Sequence, residues 1–574
     1  MIPPKRFVNP SPRTRRAMVV GLLLVGTLGI LARAVYLQIL NKDFLQDQGY
    51  ERFLRVMEIP AYRGVIKDRH GEPLAVSSPV DSVWANPKKL LQYSDRLGEL
   101  AHTLGIKTAE LEQRLQVKAD KEFAYLRRQV PPEIAQQVMD LHIPGVALQR
   151  EYRRYYPTAE VTSHLLGFTD IDDIGQEGLE LTFNKSLQGI PGKKRVIKDR
   201  LGRTVENLES VLLPVPGQTL VLSIDRRIQY LAYRELKAAV QENKASSGTA
   251  VMLDVRTGEI LAMVNQPAAN PNDRNQLRSE FLRNRSVTDV YEPGSTVKPF
   301  TIAMALESGA YRPTTLINTS PGILKVGRNR VRDVHNYGLI DVARVISKSS
   351  NVGASKIALS LPAEKLWDIY RRLGFGSATH IGFSGEQSGV LHHYSHWSAI
   401  GHANHSFGYG FSVTSLQLAQ AYAVLAADGI KRPLSILRLD EPPRNEERIM
   451  SAATARQVRT MMEAVVSDKG TAPKAAVAGY QVAGKTGTVH KIVDGRYTTR
   501  YLSLFAGMAP ADHPRLVLVV VIDDPRAGHH YGGQVAAPAF SAIMSGALRL
   551  LNVTPDVVPT VNMASVAADR ARKP

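Results

Sequence analysis

The segment YEPGSTVKPF at residues 291–300 decides how this 574-residue chain is interpreted. Its Pro293-Gly294 pair predicts a tight turn, and the apolar run that follows predicts a helix. The turn places Ser295 at the N-terminus of that helix. Because residues three apart lie on the same helix face, Lys298 is predicted within hydrogen-bond reach of Ser295.

A serine next to a lysine in this arrangement is suited to nucleophilic catalysis. The hydroxyl needs a base to become a nucleophile, and a neutral lysine can act as that base. A helix N-terminus also favours the negative charge that develops on the oxygen. The alternative is that Ser295 is only a helix cap and Lys298 only a surface charge, because an isolated S-x-x-K occurs by chance in many proteins.

Two further motifs favour the catalytic interpretation. Ser349-Ser350-Asn351 follows the first motif, and the sequence KTGT stands at residues 485–488. S-x-x-K combined with S-x-N and K-T-G is the motif set of β-lactamases and penicillin-binding proteins. Because all three motifs occur in this order, a turn that arose by chance is a poor explanation for the KTG sequence at residues 485–487.

The order and spacing of the three motifs resemble the penicilloyl-serine transferases. Flanking segments narrow the resemblance to class B penicillin-binding proteins of the septal FtsI type, the peptidoglycan D,D-transpeptidases, over residues of about 20–550. Asn351 favours the septal type, since elongation-type relatives more often carry Asp there. The flanking segments are RGVIKDR at 63–69, RRYYP at 153–157, HLLG at 164–167, GYG at 408–410 and YGG at 531–533.

The pattern of apolar residues and the resemblance together give a fold class. Strands predicted near 219–224, 248–254, 259–264, 502–509 and 516–522 bracket a helical middle, which suggests one sheet completed by the return of the chain. The resemblance implies an α/β (α+β) penicilloyl-serine transferase fold, a sheet flanked by helices, after an elongated α+β pedestal and one transmembrane helix. The predicted segments are a basic cytoplasmic tail 1–16, a signal anchor 17–39, a pedestal or dimerisation-type domain 40–215, a transpeptidase domain 216–552 and a disordered tail 553–574.

The resemblance also implies roles for the first two motifs. Ser295 attacks the penultimate D-alanine carbonyl of a stem peptide, and Lys298 takes its proton. Ser349 relays a proton to the leaving amine, and Asn351 hydrogen-bonds the substrate amide. An amine from a neighbouring strand then attacks the acyl-enzyme and forms the cross-link.

The third motif is expected to bind the substrate. Lys485 attracts the substrate carboxylate and lowers the pKa of Lys298 by like-charge repulsion. Thr486 and Thr488 hold the carboxylate through their hydroxyls, and Gly487 lets the substrate approach its strand closely. The backbone N–H groups of Ser295 and Thr488 resemble the oxyanion hole of the family.

Composition excludes several other chemistries. The chain has no Cys, which excludes disulfides, Cys-ligated zinc, iron–sulfur clusters and thiol nucleophiles. A net charge of +19 indicates an anionic partner, yet no Arg-rich helix or nucleic-acid motif is present, so no nucleic acid is expected. No cofactor or metal is predicted, because the histidines lack a nearby carboxylate in a metal-site pattern. Those histidines are His392, His393, His396, His402 and His405.

The N-terminus predicts a membrane anchor. Five basic residues and no acidic one precede an apolar run from Ala17 to Ile39. As a helix this run is about 34 Å long, enough to cross a bilayer. A cleaved signal peptide ending near the Ala32-Arg33-Ala34 triplet is the alternative. The positive-inside rule places the N-terminus in the cytoplasm and the catalytic part of this single-pass protein in the periplasm, beyond the inner membrane.

The expected partners follow from the resemblance. They are peptidoglycan stem peptides on nascent glycan strands and the β-lactams that imitate them. No glycosyltransferase domain is apparent, so a SEDS-family glycosyltransferase and other division-complex membrane proteins are expected to supply polymerisation. An elongation-type transpeptidase and a non-catalytic division scaffold remain the alternatives, and Asp333 with His335 offers a weaker triad with Ser295.

Overall fold

The computed structural model describes residues 12–44, 54–198, 204–493 and 495–557. The chain divides into two compact units. The first comprises residues 1–61 and 189–216, and the second comprises 62–188 with 217–574. The contacts therefore group most of the predicted pedestal with the transpeptidase region, whereas the predicted boundary near 215 remains a prediction.

The first unit contains the apolar helix and a small sheet. The helix runs over Pro12–Val35 and continues as a π-helical turn over Tyr36–Leu40. Among the described residues it is the one helix long and apolar enough to cross a membrane, with a mean hydropathy of 2.2. It begins before Ala17 because arginines, which are good helix formers, precede the apolar run. Residues 1–11 of the predicted basic tail lie outside the described residues.

The sheet of the first unit is antiparallel, with the strand from Gly192 to Lys198 in the middle. Its three strands are Leu54–Ile59, Gly192–Lys198 and Thr204–Leu212.

The N-terminal part of the second unit is a mixed α+β region with its own apolar cluster. The leucines that recur at helical spacing, including Leu97, Leu104 and Leu111, are fully buried together. The strands are Ile66–Lys67, Pro73–Ala85, Ala124–Val130, Val146–Tyr155 and Leu220–Val221. The α-helices are Pro87–Leu90, Leu97–Leu104, Thr108–Val117, Pro132–Asp140, Ser163–Leu166, Gly178–Thr182 and Asn184–Leu187.

A five-stranded antiparallel sheet forms the centre of the second unit. Its strands, in chain order, are β1 Ser247–Asp254, β2 Ile260–Gln266, β3 Ala483–Val493, β4 Arg496–Ala509 and β5 Leu516–Asp523. Their order across the sheet is β2-β1-β5-β4-β3. The chain therefore leaves after β2 and returns at β3, which confirms a sheet completed by the return of the chain. The strand predicted near 219–224 is only Leu220–Val221 and pairs instead with Ile66–Lys67, outside this sheet. Strand β3, with the third motif, lies at one edge.

Six helices frame this sheet and the site. They are α1 Arg226–Glu242, α2 Lys298–Glu307, α3 Asn351–Leu359, α4 Ser415–Ala426, α5 Ala452–Val466 and α6 Ala537–Leu550. Helix α1 packs against α6 and the sheet, and α4 contacts β1 and β5. Helix α5 contacts both β3 and α2, so it links the third motif to the first. Asp225 caps α1, with its carboxylate accepting the N–H of Arg227.

Further elements complete the second unit. The other helices are Ser279–Leu282, Arg285–Thr288, Val342–Ser347, Ala363–Leu373, Ala399–His405 and Gly532–Val535. The small antiparallel strand pairs are Leu316–Asn318 with Leu339–Asp341, Ile323–Val326 with Asn329–Arg332, and Ile430–Lys431 with Glu447–Arg448.

The C-terminal segment corrects one prediction. The predicted disorder begins at Val553, but the Val553 carbonyl accepts a hydrogen bond of 2.6 Å from the Tyr480 hydroxyl. The Asp556 carboxylate also accepts one of 2.9 Å from the Gln481 N–H. These contacts order the chain as far as Val557, because polar backbone groups next to α6 find partners there. The remainder of the predicted tail, 558–574, lies outside the described residues.

Candidate active site

The first motif starts on a tight 3₁₀ turn that leads directly into α2. This turn spans Gly294–Val297, and Gly294 has a φ of +53° that a side chain would strain. The Gly294 N–H donates 3.0 Å to the carbonyl of Gly408, and a Cβ at Gly408 would lie 2.0 Å from the Gly294 oxygen. The Tyr422 hydroxyl donates 2.7 Å to the Thr296 carbonyl. These contacts fix Ser295 at the start of the helix, as predicted.

Lys298 joins the first motif to the second. Its Nζ lies 3.0 Å from Ser295 Oγ, 3.2 Å from Ser349 Oγ and 2.7 Å from Asn351 Oδ1, and it also donates to the Ser349 carbonyl. The side chain is fully buried. The lysine therefore has the position that a base for Ser295 requires.

Burial lowers the pKa of both lysines. It holds the pKa of Lys298 well below the ordinary value, and the nearby ammonium of Lys485 lowers that pKa further. The like-charge repulsion predicted from sequence is thus present but is second to desolvation. Burial also lowers the pKa of Lys485, to about 7. All hydrogen bonds of the two ammonium groups within the described chain go to neutral oxygens.

The second motif occupies the turn before α3. Ser349 has a φ of +59°, a left-handed conformation that is uncommon outside glycine and occurs at functional sites. Its Oγ accepts 2.9 Å from Lys485 Nζ, so this hydroxyl lies between the two lysines. Asn351 uses its amide nitrogen to donate 3.0 Å to the Arg332 carbonyl.

The third motif lies on the edge strand β3. Besides Ser349, Lys485 donates 3.1 Å to the Thr486 carbonyl and 3.3 Å to the Thr486 hydroxyl. The Thr486 hydroxyl also lies 3.1 Å from that of Thr471. The Thr488 hydroxyl accepts 3.1 Å from the Gly532 N–H, a bond that does not use the hydroxyl hydrogen.

Gly487 has a role that the sequence did not reveal. A Cβ there would lie 2.9 Å from Thr296 Cγ2 and 3.2 Å from the Pro293 carbonyl oxygen. The close approach that requires glycine is therefore made by the turn that carries Ser295. Gly487 lets β3 pack directly beside the turn of Ser295.

Asp333 is a site residue whose main role the sequence analysis missed. Its carboxylate accepts 2.5 Å from the Asn351 N–H, 3.0 Å from the Val352 N–H and 2.6 Å from the Ser350 hydroxyl. These bonds leave Asp333 holding the second motif rather than orienting a histidine, which argues against the triad with His335. No short-range pattern connects Asp333 to a motif so much later in the chain.

Glu292 is a second residue near Ser295 that the sequence did not indicate. Its half-buried carboxylate accepts 2.7 Å from the Gly410 N–H and about 3.0 Å from the Tyr497 hydroxyl. Desolvation raises its pKa. Glu292 thereby ties the segment before Ser295 to the β3–β4 hairpin.

The five histidines considered earlier occupy the surface or the core. His392, His393 and His396 are exposed, whereas His402 and His405 are buried on one short helix. The His405 ring stacks on Trp397 at 3.9 Å. Across the described residues, no group of three or more His, Cys, Asp or Glu is arranged to hold a metal.

With this geometry in place, comparison with known proteins identifies the family. The family model for the penicillin binding protein transpeptidase domain matches residues 248–545, and that for the penicillin-binding protein dimerisation domain matches 58–222. The chain is 46% identical over 552 residues to peptidoglycan D,D-transpeptidase FtsI of Escherichia coli K12, covering 95% of this chain and 93% of the relative. The chain belongs to the FtsI-type peptidoglycan D,D-transpeptidases.

Other relatives agree. The chain is 43% identical to the probable peptidoglycan D,D-transpeptidase PenA of Neisseria gonorrhoeae, covering 92% of this chain and 91% of that one. The solved transpeptidase domain of penicillin-binding protein 3 from Burkholderia pseudomallei is 44% identical, with a TM-score of 0.55, and covers 59% of this chain and 98% of that domain.

Membership in this family confirms several predictions. It confirms the recognised family, the penicilloyl-serine transferase fold and the transpeptidase activity. A septal-type transpeptidase is therefore favoured over an elongation-type enzyme and over a non-catalytic scaffold. Peptidoglycan as substrate and β-lactams as covalent ligands follow from the same membership. The apolar helix and the FtsI-type relatives indicate a membrane-anchored protein.

Proposed function

We propose that Ser295 is the nucleophile and Lys298 its general base in peptidoglycan cross-linking. The observation that carries this proposal is the 3.0 Å contact between Ser295 Oγ and a fully buried Lys298 Nζ. A lysine whose pKa is lowered by burial is neutral more often, and only the neutral amine can accept the serine proton.

The remaining residues complete the acyl transfer. Ser295 Oγ bonds to the penultimate D-alanine carbonyl carbon, and its proton passes to Lys298. Ser349, which contacts both lysines, carries a proton to the leaving D-alanine nitrogen as the C–N bond breaks. An acceptor amine then attacks the ester, forms the cross-link and returns the proton to Ser295.

The third motif binds the terminal carboxylate of the donor peptide. Lys485 contributes positive charge in its protonated form, and the Thr486 and Thr488 hydroxyls donate to the carboxylate oxygens. Asn351 bonds the substrate amide by exchanging its present contact with Lys298 or with the Arg332 carbonyl. The N–H groups of Ser295 and Thr488 stabilise the oxyanion.

Penicillin labelling tests this assignment directly. The full chain in detergent is incubated with a fluorescent penicillin, and the adduct is mapped by mass spectrometry. We expect the label on Ser295 and none on the Ser295→Ala variant, whose circular dichroism and melting curve should match the wild type. Ser295→Ala keeps the turn, whereas Ser286→Ala removes a buried serine outside the site and serves as the labelling control. A label on another serine would refute the assignment, and an unlabelled wild-type chain would favour the scaffold alternative.

We infer the topology from the charge of the N-terminal flank. The basic residues that precede the anchor favour the cytoplasmic side, which places the pedestal and the transpeptidase domain in the periplasm. Reporter fusions distinguish the orientations: alkaline phosphatase fused after residue 557 should be active, whereas the same enzyme fused before residue 12 should be inactive. The reverse pattern would refute this orientation.

We also propose that the anchor contacts a partner helix of a SEDS-family glycosyltransferase. Arg33 lies late in the anchor, and its guanidinium lies 5.2 Å from the centre of the Tyr36 ring. A charged side chain within a membrane-spanning helix costs free energy, which a contact with a partner helix would offset. Gly21, Gly26 and Gly29 leave room for such a helix to approach closely. Arg33→Leu should preserve insertion and penicillin labelling but weaken co-purification with the polymerase and block division. Full complementation with undiminished co-purification would leave Arg33 as a residue that only snorkels to the interface.

A further inference from the structure

A cavity lies in the larger unit, away from Ser295. Its volume is about 580 Å³, within the roughly 300–1,000 Å³ typical of ligand pockets. One wall is the outer face of α1, with Tyr233, Lys237 and Gln241, and the opposite wall is the end of β2 and its following loop. Glu160, on a 3₁₀ turn, closes one side.

The charges in this cavity are already paired with one another. Lys237 Nζ donates 2.9 Å to the Tyr233 hydroxyl, which donates 3.2 Å to a Glu160 carboxylate oxygen. The ammonium and the carboxylate lie 4.0 Å apart. A charged ligand would have to compete with these contacts, so the lining favours a ligand without net charge.

The rest of the lining carries groups that suit a neutral polar ligand. The lining includes the carboxamide residues Gln241, Asn270 and Gln276 together with Ala245, Ser246 and Ala268. The Gln276 amide donates to Asp273 and the Ser246 hydroxyl to Asp524, so these two groups would exchange partners when a ligand binds. A carboxamide both donates and accepts hydrogen bonds, and the alanine methyl groups offer small apolar surfaces. Hydroxyl and acetamido groups on a sugar ring match this combination.

The cavity also lies at the same level of the sheet as the catalytic motif. Gln266, which lines it, pairs in register through Gly248, Ile522 and Ser503 with Thr488. Four strand spacings of about 4.8 Å separate the two edges by about 19 Å. Each extended peptide residue spans about 3.3–3.6 Å, so a short stem peptide can cover this separation.

We propose that this cavity is an accessory binding site for the N-acetylated sugar backbone of the peptidoglycan substrate. The proposal rests on the transpeptidase function described above and adds a second point of attachment for the same polymer. A strand held by its sugars at the β2 edge keeps its stem peptides at a high local concentration near Ser295.

Binding of a peptide-free sugar tests the proposal. The probe is the neutral tetramer of N-acetylglucosamine, titrated into the full chain in detergent and followed by calorimetry. The titration is repeated after Ser295 has been acylated with penicillin, which occupies the catalytic groove. We expect binding that survives acylation and weakens by about tenfold in Gln241→Ala/Gln276→Ala, which removes two carboxamides. Gln116→Ala, at an exposed glutamine of another helix, should bind like the wild type.

Three outcomes would overturn the proposal. They are no binding at millimolar tetramer, binding abolished by acylation, and binding unchanged in the double variant. Tighter binding of a sugar-free stem peptide that is lost in the double variant would make the cavity a peptide site instead. Penicillin labelling is read in the same samples, so a failure of the catalytic assignment is seen separately from a failure of sugar binding.

Discussion

Two clusters of buried charge in the larger unit differ in how the charge is balanced. Near the N-terminal end of this unit, Glu180 accepts from Arg63 Nε and Arg154 Nε, each at 2.6 Å, and all three side chains are almost fully buried. In the active site, Lys298 and Lys485 are equally buried, but their hydrogen bonds go to neutral oxygens.

The difference separates a structural use of charge from a chemical one. A buried carboxylate between two guanidiniums balances their charge and fixes the segments that carry these groups. A buried ammonium without a carboxylate partner is stabilised by losing its proton. The low pKa that the proposed base Lys298 needs therefore comes first from burial and then from Lys485, and its direct hydrogen-bond partners, which are neutral oxygens, do not oppose it.

Removing Lys298, the proposed base, should have the largest effect on activity. In Lys298→Ala, the second-order rate constant of penicillin acylation should fall by about 10²–10⁴-fold, because no other base contacts Ser295 in the described structure. Stopped-flow acylation measures it. Lys365→Ala, an exposed lysine on a nearby helix, is the control and should keep the wild-type rate. A Lys298→Ala variant that acylates at a near-normal rate would point to a different base.

Removing the shared carboxylate should instead affect stability. In Glu180→Gln the two arginines lose their counter-charge, and we expect the free energy of unfolding to fall by about 3–5 kcal/mol. Denaturant unfolding of the full chain measures the loss. The acylation rate per folded molecule should stay within about twofold, because Glu180 does not contact the site.

Glu235→Gln is the matched control. It breaks a more exposed ion pair with Arg234, and such pairs contribute about 0–1 kcal/mol. If Glu180→Gln costs no more than this control, the contrast between the two buried clusters is wrong.

The charge of Lys485 can be tested through pH. Burial lowers the pKa of Lys485 to about 7, so its positive charge is present below this pH and is lost as pH rises. For a donor peptide, kcat/KM should fall above pH 7 as attraction for the carboxylate is lost. Arginine stays charged, so Lys485→Arg should move this basic limb up by about one pH unit or more, whatever its effect on the maximum.

Lys491→Arg, on the same strand but paired with Asp523, is the control and should leave the limb in place. A basic limb that stays at its wild-type pH in Lys485→Arg would assign it to another group.

The sequence predicted those features that depend on local order. The turn before Ser295, the i to i+3 placement of Lys298 and the strands on both sides of the helical middle each follow from a few neighbouring residues. The sequence also identified all three motifs. It did not predict which elements would be brought against them, since Gly408 and Tyr422 reach the first motif from far along the chain.

Tertiary packing also gives two residues a role that differs from the one predicted from sequence. Gly487 was expected to admit substrate, but its missing Cβ admits the turn at Thr296. Asp333 was considered only as part of a triad, because a carboxylate that binds backbone N–H groups 18 residues later leaves no periodic trace. Such contacts depend on how the hairpin Ile323–Val326 and Asn329–Arg332 folds beside α3.

Asp333 offers the finest test of the contrast between the two buried clusters. Its carboxylate is a negative charge that acts on Lys298. Burial and Lys485 lower the pKa of Lys298, whereas the charge of Asp333 raises it. Asp333→Asn keeps an oxygen for the Asn351 and Val352 N–H groups but removes the charge. We expect acylation to slow by about three- to tenfold from weaker positioning of the second motif. The acid limb of its pH profile should also move to lower pH, since the pKa of Lys298 falls further.

Asp341→Asn distinguishes this effect from a general one. Asp341 caps the helix Val342–Ser347, and asparagine caps helices as well as aspartate does, so both rate and pH profile should match the wild type. A slower Asp333→Asn enzyme with an unmoved acid limb would make Asp333 purely a positioning residue. A moved limb at the wild-type rate would make its influence on Lys298 purely electrostatic. Only an unchanged rate together with an unchanged limb would remove Asp333 from the site, and the low pKa of Lys298 would then depend on burial and Lys485 alone.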